Sequence, residues 1–220
     1  MASRTVYRAI WIPSALAIVG MVIAFAQQPM AIPKPTEMKS FVSSDKTMSL
    51  QRPSNWKARS LSLQGLQTEV SFEPVPNFRI EFATDFQGSL IADIGKSGDT
   101  AMLSNIPGME SIVDKQKSPL ERAHDMQGKL WQKKLGKKEY AEEKAQKTQI
   151  ANLEGLVSDV TFKNDGILSG KTEMIGKRYS ALSGERLVTI FYRCPKEGRK
   201  EIEPTFTKMI ESLKIGEGGG

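Results

Sequence analysis

Two side chains in this 220-residue sequence could support covalent catalysis, and each is the only residue of its type. His124 is the single imidazole, the base that a serine or cysteine nucleophile ordinarily needs. Cys194 is the single thiol. A Cys194–His124 dyad, or a hydrolase that relies on His124, is therefore the enzyme hypothesis that the composition allows.

The surrounding sequence favours structural roles for both residues. His124 lies near the edge of the apolar arc of a predicted helix, which is the position of an interfacial helix residue. Cys194 alternates in phase with Val188, Ile190 and Tyr192, and a free cysteine in such a pattern is ordinarily a small core residue. We therefore predict no catalytic residue, and a hydrolase or thiol-dependent enzyme using His124 or Cys194 is the alternative.

Motifs for metals and nucleotides are missing from the sequence. One histidine and one cysteine cannot build a zinc site of ordinary spacing, and no Asp-x-Asp-x-Asp-Gly calcium loop occurs. The ten methionines contain no Met-x-Met pair, so we interpret them as packing residues. No glycine-rich phosphate loop stands between a strand and a helix. The sequence predicts no metal and no cofactor.

The most concentrated charge is a run of lysines at the end of the first predicted helix: Lys129, Lys133, Lys134, Lys137 and Lys138. Cations there complement the helix dipole, so a solvated helix end is one interpretation. A contact with an acidic protein or an anionic membrane is the other, although Glu139, Glu142 and Glu143 dilute the patch. The net charge of +6 is too small to indicate nucleic acid as a partner.

The N-terminus has the layout of a secretory signal. Arg4 and Arg8 precede an uncharged apolar run that ends in Ala24-Phe25-Ala26, and small residues at Ala24 and Ala26 are those that a signal peptidase reads. We predict cleavage after Ala26. The run is also near the lower length limit of a membrane span, so a retained N-terminal anchor is the alternative. No cysteine stands at the cleavage point to accept a lipid.

The remaining chain divides into a tether, one domain and a tail. Residues 27–37 contain Pro29, Pro33 and Pro35 and cannot continue a helix or a central strand. Residues 38–215 form the predicted domain, and residues 216–220 a glycine-rich tail. A single cysteine allows no intramolecular disulfide, so packing must stabilise the domain, which we expect to be a monomer.

Alternating apolar residues predict several strands. Phe78, Ile80, Phe82 and Phe86 share one face of a strand that Gln87-Gly88 would turn into a hairpin partner at Ser89–Ile94. A strand from 156 to 162 should turn at Asn164-Asp165-Gly166 into another strand from about Lys171. Ser183-Gly184 would then reverse the chain into a central strand from Arg186 to Cys194, which is apolar on both faces.

Two amphipathic helices complete the pattern. Ser118-Pro119-Leu120-Glu121 is a strong start signal with a capping box. In this helix Leu120, Ala123, Leu130 and Trp131 fall within one arc, and Gly136 is its natural stop. The second helix carries an apolar stripe made of Ile202, Phe206, Met209, Ile210 and Leu213. Antiparallel hairpins covered by such helices imply an α+β fold.

The assembled pattern resembles the Mog/PsbP-like superfamily, which includes PsbP, a Ran-binding nuclear import factor and many exported bacterial proteins. The resemblance is carried by residues 48–56, an opening strand that ends in Pro-x-x-Trp, and by the C-terminal series from Gly155 to the closing Ser212-Leu213-Lys214-Ile215. It implies an antiparallel β-sheet flanked by helices in an α/β/α layered arrangement. It also implies binding or assembly without catalysis, and it transfers no site residue.

Taken together, these features predict an exported, non-enzymatic binding or assembly protein, periplasmic or secreted. Its partner would be an envelope or extracellular protein or lipid, bound by a surface or groove on the sheet. If the N-terminal segment is retained, the alternative is a membrane-anchored structural accessory of an envelope complex.

Overall fold

The computed structural model describes residues 33–63, 67–75, 77–85, 116–135, 139–166, 170–184 and 186–216. Two helices lie in these ranges, α1 (Pro119–Leu135) and α2 (Arg199–Glu211), with a short 3₁₀ turn, Lys196–Gly198, before α2. The strands are β1 (Met38–Val42), β2 (Met48–Pro53), β3 (Lys57–Leu63), β4 (Gln67–Glu73), β5 (Arg79–Asp85), β6 (Tyr140–Glu142), β7 (Gln146–Ile150), β8 (Leu153–Gly166), β9 (Gly170–Ser183), β10 (Arg186–Pro195) and β11 (Lys214–Ile215).

The strands form one large sheet and one small one. The large sheet has the order β3-β4-β5-β10-β9-β8-β6, with β7 also paired to β8, and the small sheet has the order β1-β2-β11. The pairs are antiparallel in both sheets. The α+β fold class predicted from the sequence is confirmed.

Strand β10 divides the interior into two sides because its side chains alternate. Val188, Ile190, Tyr192 and Cys194 lie in the main core cluster, which also contains Ile202, Phe206, Met209 and Ile210 of α2. Leu187 packs instead with Ala123 and Met126 of α1, and Phe191 packs against Trp131. The two helices therefore cover opposite faces of the sheet, as the layered prediction requires.

The predicted hairpin turns have different outcomes. Ser183 and Gly184 do reverse β9 into β10, and Gly184 has the positive φ of 57° that a tight turn demands. The turn predicted at Asn164-Asp165-Gly166 is wrong, because these residues continue β8 and Gly166 pairs with Gly170. Long-range pairing with β9 outweighs the local turn preference of this tripeptide.

The sequence also predicted a hairpin partner for β5, reached through a turn at Gln87-Gly88. Residues 86–115, which include Phe86 and Ser89–Ile94, lie outside the described residues. Strand β5 itself pairs with β4 along one edge and with β10 along the other. No edge of β5 is left for the expected hairpin, whereas the burial of Phe78, Ile80 and Phe82 is as predicted.

The capping box of α1 is present. The Ser118 N–H donates to Glu121 Oε2 over 2.7 Å, and the Glu121 N–H donates to Ser118 Oγ over 3.2 Å. The predicted apolar arc is only partly right, because Ala123 is buried while 47 % of Leu130 is exposed. The buried face of α1 carries polar residues instead, including Arg122 and His124, which an arc drawn through apolar residues cannot include. Gly136, the predicted stop, lies outside the described residues.

The apolar stripe predicted for α2 is confirmed except that its last member, Leu213, lies just beyond the end of the helix at Glu211. Its members Ile202, Phe206, Met209, Ile210 and Leu213 are all buried. Phe206 makes ring contacts with Trp56, from the predicted opening segment, and with Tyr192 of β10. In the described ranges, no helix has the length and apolar character needed to cross a bilayer.

Candidate functional site

The two residues that could support catalysis lie far from each other in the fold. His124 is on α1, on one side of the large sheet, and is only 2 % exposed. Cys194 is in the core under α2, on the other side. Burial raises the pKa of its thiol to about 12, which leaves no reactive thiolate near neutral pH. The structure therefore contains no Cys194–His124 dyad.

His124 is held between two serine hydroxyls. Its Nδ1 lies 2.9 Å from Ser180 Oγ of β9, and its Nε2 lies 2.9 Å from Ser158 Oγ of β8. Arg178 Nη1, a donor only, is 3.3 Å from Nδ1. Nδ1 is therefore the acceptor, and the proton sits on Nε2, which donates to Ser158. Both ring nitrogens are satisfied within the protein.

The environment keeps the His124 imidazole neutral. Burial, and secondly the nearby Arg178 guanidinium, lower its pKa to about 3. A ring with that pKa binds a proton too weakly to activate a hydroxyl near neutral pH. The geometry gives His124 a positioning role between α1 and the sheet and no role as a general base.

Next to the imidazole lies a buried ion pair. Arg178, 2 % exposed, donates from Nε to Glu142 Oε1 over 3.1 Å and from Nη2 to the same oxygen. The second carboxylate oxygen of Glu142 accepts a hydrogen bond from Tyr140 Oη over 2.7 Å. Burial and the Glu142 carboxylate raise the pKa of Tyr140. Tyr140, Glu142, Arg178, His124, Ser158 and Ser180 thus form one continuous network, which we call the polar network.

All members of the polar network except Ser180 line the floor of an open groove of about 470 Å³. One wall is a stripe of α1 that includes Asp125 and Lys129, together with Lys117 just before the helix. The other wall is β6 with the segment that follows it, residues 143–145. We call this feature the α1–β6 groove, and its volume is within the range of ligand-binding clefts.

A bulge shapes the strand wall of the groove. Glu142 pairs with Val160 whereas Gln146 pairs with Val157, so residues 143–145 stand opposite only two residues of β8, Ser158 and Asp159. Such bulges are common at sheet edges and beside binding sites, where they redirect side chains. Here Ala145 and the exposed Lys144 are placed at the mouth of the groove.

The charges around the α1–β6 groove balance. Three lysines, Lys117, Lys129 and Lys144, face three carboxylates, Glu121, Asp125 and Glu143. Lys117, just before α1, forms an ion pair with Asp125 of the helix. Among the described residues, no three His, Cys, Asp or Glu side chains lie together as a candidate metal site. The groove suits a polar ligand without a large net charge.

Three of the five lysines predicted as a patch, Lys129, Lys133 and Lys134, lie on α1 among the described residues. Lys129 lines the α1–β6 groove. Lys133 is exposed, and Lys134 stacks over Trp131 with its Nζ 4.5 Å from the ring centroid. Lys137 and Lys138 lie outside the described residues. A role for these lysines in partner binding stays a prediction.

Sequence reasoning missed most of the polar network. It singled out His124 but not Arg178, Ser158, Ser180 or Glu142. One signal was available, since Ser158, Arg178 and Ser180 occupy alternate positions that are otherwise apolar and buried in β8 and β9. Polar residues at the buried positions of a strand indicate either a hydrogen-bond network or a binding site.

No protein-family model matches the chain, and no curated protein is similar to it in sequence. Among solved structures, the chain is similar to cyanobacterial PsbP (CyanoP) of Synechocystis sp. PCC 6803, with a TM-score of 0.47 and 8 % identity over 86 % of this chain and 99 % of that one. It is similar to the Ran-binding protein Mog1p of Saccharomyces cerevisiae, with a TM-score of 0.48 and 9 % identity over 82 % and 96 %.

A third similar structure is LpqN of Mycobacterium tuberculosis, involved in cell envelope biogenesis, with a TM-score of 0.41 and 8 % identity over 83 % of this chain and 98 % of that one. At these identities and TM-scores the likenesses concern the overall fold and say nothing about the α1–β6 groove. All three proteins have the PsbP/Mog1-like fold, the one that the sequence resembles.

Proposed function

We propose that this chain is an exported, non-enzymatic binding protein and that the α1–β6 groove is its ligand site. The observation that carries the proposal is the floor of the groove, where a buried ion pair and a neutral imidazole are already satisfied by protein partners. Such a floor is rigid before any ligand arrives, and rigidity of this kind reduces the entropic cost of binding.

The same floor argues against hydrolysis. A serine triad places the acid on the ring nitrogen opposite the one that contacts the nucleophile. Here Glu142 Oε1 lies 3.5 Å from Nε2, the same nitrogen that contacts Ser158. Ser180 contacts the other ring nitrogen, Nδ1, so the acid does lie opposite it, but Ser180 is fully buried. Because the pKa of the imidazole is lowered to about 3, neither hydroxyl has an effective base.

A chemical test separates binding from hydrolysis. The full chain is incubated with a fluorophosphonate probe and, separately, with iodoacetamide, and each product is digested and mapped by mass spectrometry. We expect no label on Ser158, Ser180 or Cys194 under native conditions, and alkylation of Cys194 once urea is added. Phosphonylation of either serine in the native protein would contradict the proposal.

Export rests on the sequence of the N-terminal segment. Mass spectrometry of the protein from its own cells is expected to give an N-terminus at Gln27, after removal of residues 1–26. An intact N-terminus in the membrane fraction would instead support the anchored accessory, with residues 27–37 as a tether beside the membrane.

Binding in the groove is tested by filling it. Ala145→Trp places an indole at the mouth of the groove, and Gln132→Trp does the same from the helix wall. Lys208→Trp, on the exposed face of α2, is the matched control. In affinity capture from the envelope fraction, a partner should be retained by the wild type and by Lys208→Trp and lost with both groove variants. Equal retention by all four proteins would show that the groove is not the site.

A further inference from the structure

Two arginines lie side by side on the face of the large sheet that α1 covers, away from the α1–β6 groove. Arg193 of β10 is flanked across the strands by Arg79 of β5 and by Gly176 of β9. Residues directly opposite each other in a sheet share a face, so the two guanidinium groups stand side by side. Gly176 packs closely against the backbone of Tyr192 and Arg193, so the position opposite Arg193 on β9 carries no side chain that could pair with the guanidinium.

The two arginines differ in their partners. Arg79 forms ion pairs with Glu81 over 2.7 Å and with Glu69 over 3.5 Å. Arg193 forms no hydrogen bond or ion pair with any described residue, and its one specific contact is with the Trp131 ring, 6.0 Å from the guanidinium carbon to the centroid. Arg193 is partly buried, and burial lowers its pKa. The guanidinium is partly exposed and has no acceptor among the described residues, so its donors are available to a bound group.

Arg193 lines a cavity of about 140 Å³. Phe162 and Met174 contribute apolar surface, and Asn77, Arg79 and Arg193 contribute polar groups. Glu73 is the one carboxylate of the lining. The cavity is well below the volume of a cleft for a drug-sized ligand, so it fits a small group.

We propose that Arg193 binds a single oxyanion group, a carboxylate or a phosphate, in this cavity. A planar guanidinium offers paired donors that match the oxygens of either group. Lys134 places another cation at the Trp131 ring, with its Nζ 4.5 Å from the ring centroid.

The surrounding carboxylates decide against a broad anionic surface as the occupant. Glu73 lies in the cavity, and Glu69 and Glu81 neutralise Arg79. A membrane rich in acidic lipids would bring many negative charges against these residues, whereas one inserted oxyanion faces two arginines, Arg79 and Arg193, and the single carboxylate of Glu73. The site therefore selects a single charged group presented by a small molecule or by one side chain.

The experiment is an NMR titration of the full chain at constant ionic strength. Sodium phosphate, sodium acetate and sodium chloride are added in separate series, and the Arg193 Nε–H and Trp131 indole N–H signals are followed. We expect a saturable shift with phosphate or acetate and none with chloride. Saturation by phosphate alone assigns a phosphate group, and saturation by acetate assigns a carboxylate.

Variants make the titration decisive. Arg193→Gln should abolish the saturable shift of the Trp131 signal, and Arg193→Lys should weaken binding by about tenfold, because lysine cannot present two parallel donors. Lys200→Gln, on the exposed side of α2, is the matched control and should bind as the wild type does. A shift that chloride reproduces, or that persists in Arg193→Gln, would overturn the proposal.

Discussion

The backbone of Gly128 in α1 lies so close to Glu142 that a Cβ atom there would stand 2.6 Å from Oε2 of the carboxylate and 3.0 Å from Nη2 of Arg178. Alanine is ordinarily better than glycine in a helix by about 1 kcal/mol. We expect the opposite sign here, with Gly128→Ala losing about 1–2 kcal/mol because Glu142 must release Tyr140. Urea unfolding measures the change. In a Tyr140→Phe background the loss should shrink, and an equal loss would show that the cost arises elsewhere.

The ion pair of Arg178 and Glu142 predicts a linked change at His124. Arg178→Met leaves the Glu142 carboxylate without its partner and should cost about 2–4 kcal/mol. It also removes the cation that helps to lower the pKa of His124, so that pKa should rise. An NMR pH titration of the imidazole Cε1–H follows both proteins. An imidazole signal in the wild type that titrates between pH 5 and 8 would contradict the structure.

His124 also predicts how stability depends on pH. Its pKa of about 3 in the folded protein is below the ordinary 6.5 of an unfolded chain. Between these two pH values only the unfolded state binds the extra proton. The contribution of the neutral imidazole to the free energy of unfolding is therefore complete above pH 6.5 and is lost as the pH falls towards 3. The free energy of unfolding should therefore decline more steeply in the wild type than in His124→Gln, by about 1 kcal/mol per pH unit between pH 6 and 4. Parallel curves would refute this.

A second acidic transition belongs to Asp45. Burial alone would raise its pKa, but hydrogen bonds from Thr68, Ser43 and Thr47 lower it to about 2 from 3.8. The contribution of the Asp45 carboxylate to the free energy of unfolding is therefore present above pH 3.8 and is lost only as the pH falls towards 2. Most of the loss due to His124 occurs at higher pH, between 6.5 and 3. Asp45→Asn should leave the slope between pH 6 and 4 unchanged, which separates the two groups.

Gly176 tests the close packing of the central strands. A Cβ atom at this position would lie 2.0 Å from the carbonyl oxygen of Tyr192, which is backbone and cannot move aside. Gly176→Ala should therefore cost about 3 kcal/mol or prevent folding. Gly155→Ala is the matched control, because its Cβ would meet Cδ1 of Ile150, the end of a side chain that can rotate, at 2.8 Å and the backbone oxygen of Ser180 only at 3.0 Å, which is 1 Å farther than the clash at Gly176. A smaller loss at Gly176 than at Gly155 would contradict the strand register.

Local periodicity explains which parts of the fold could be predicted from the sequence. The sequence alone indicates the buried face of β5 by alternating apolar residues, and the strand β10 by a short run that is apolar on both faces. It indicates the apolar stripe of α2 by apolar residues that recur every three to four positions. The capping box of α1 is likewise a signal within four residues. The turn after β8 was misplaced because strand pairing, which no local signal records, extends through Gly166.

The polar network and the α1–β6 groove could not be predicted in the same way. His124 meets Ser158 across 34 residues and Ser180 across 56 residues of chain. Those contacts depend on how far α1 is shifted along the sheet, which periodicity does not determine. Arg193 was hidden for another reason, since an arginine between Tyr192 and Cys194 has the sequence signature of an ordinary solvent-facing strand residue.

The small sheet places the last strand of the domain against one of its first. Lys214 and Ile215 pair with Ser49 and Met48, and the Gly216 N–H donates to the Thr47 carbonyl over 2.9 Å. A chain that leaves the ribosome from its N-terminal end cannot complete this sheet until Ile215 has emerged. Contacts of such high sequence separation also form late and slowly. The topology thus delays closure of the domain until its C-terminal strand has been made.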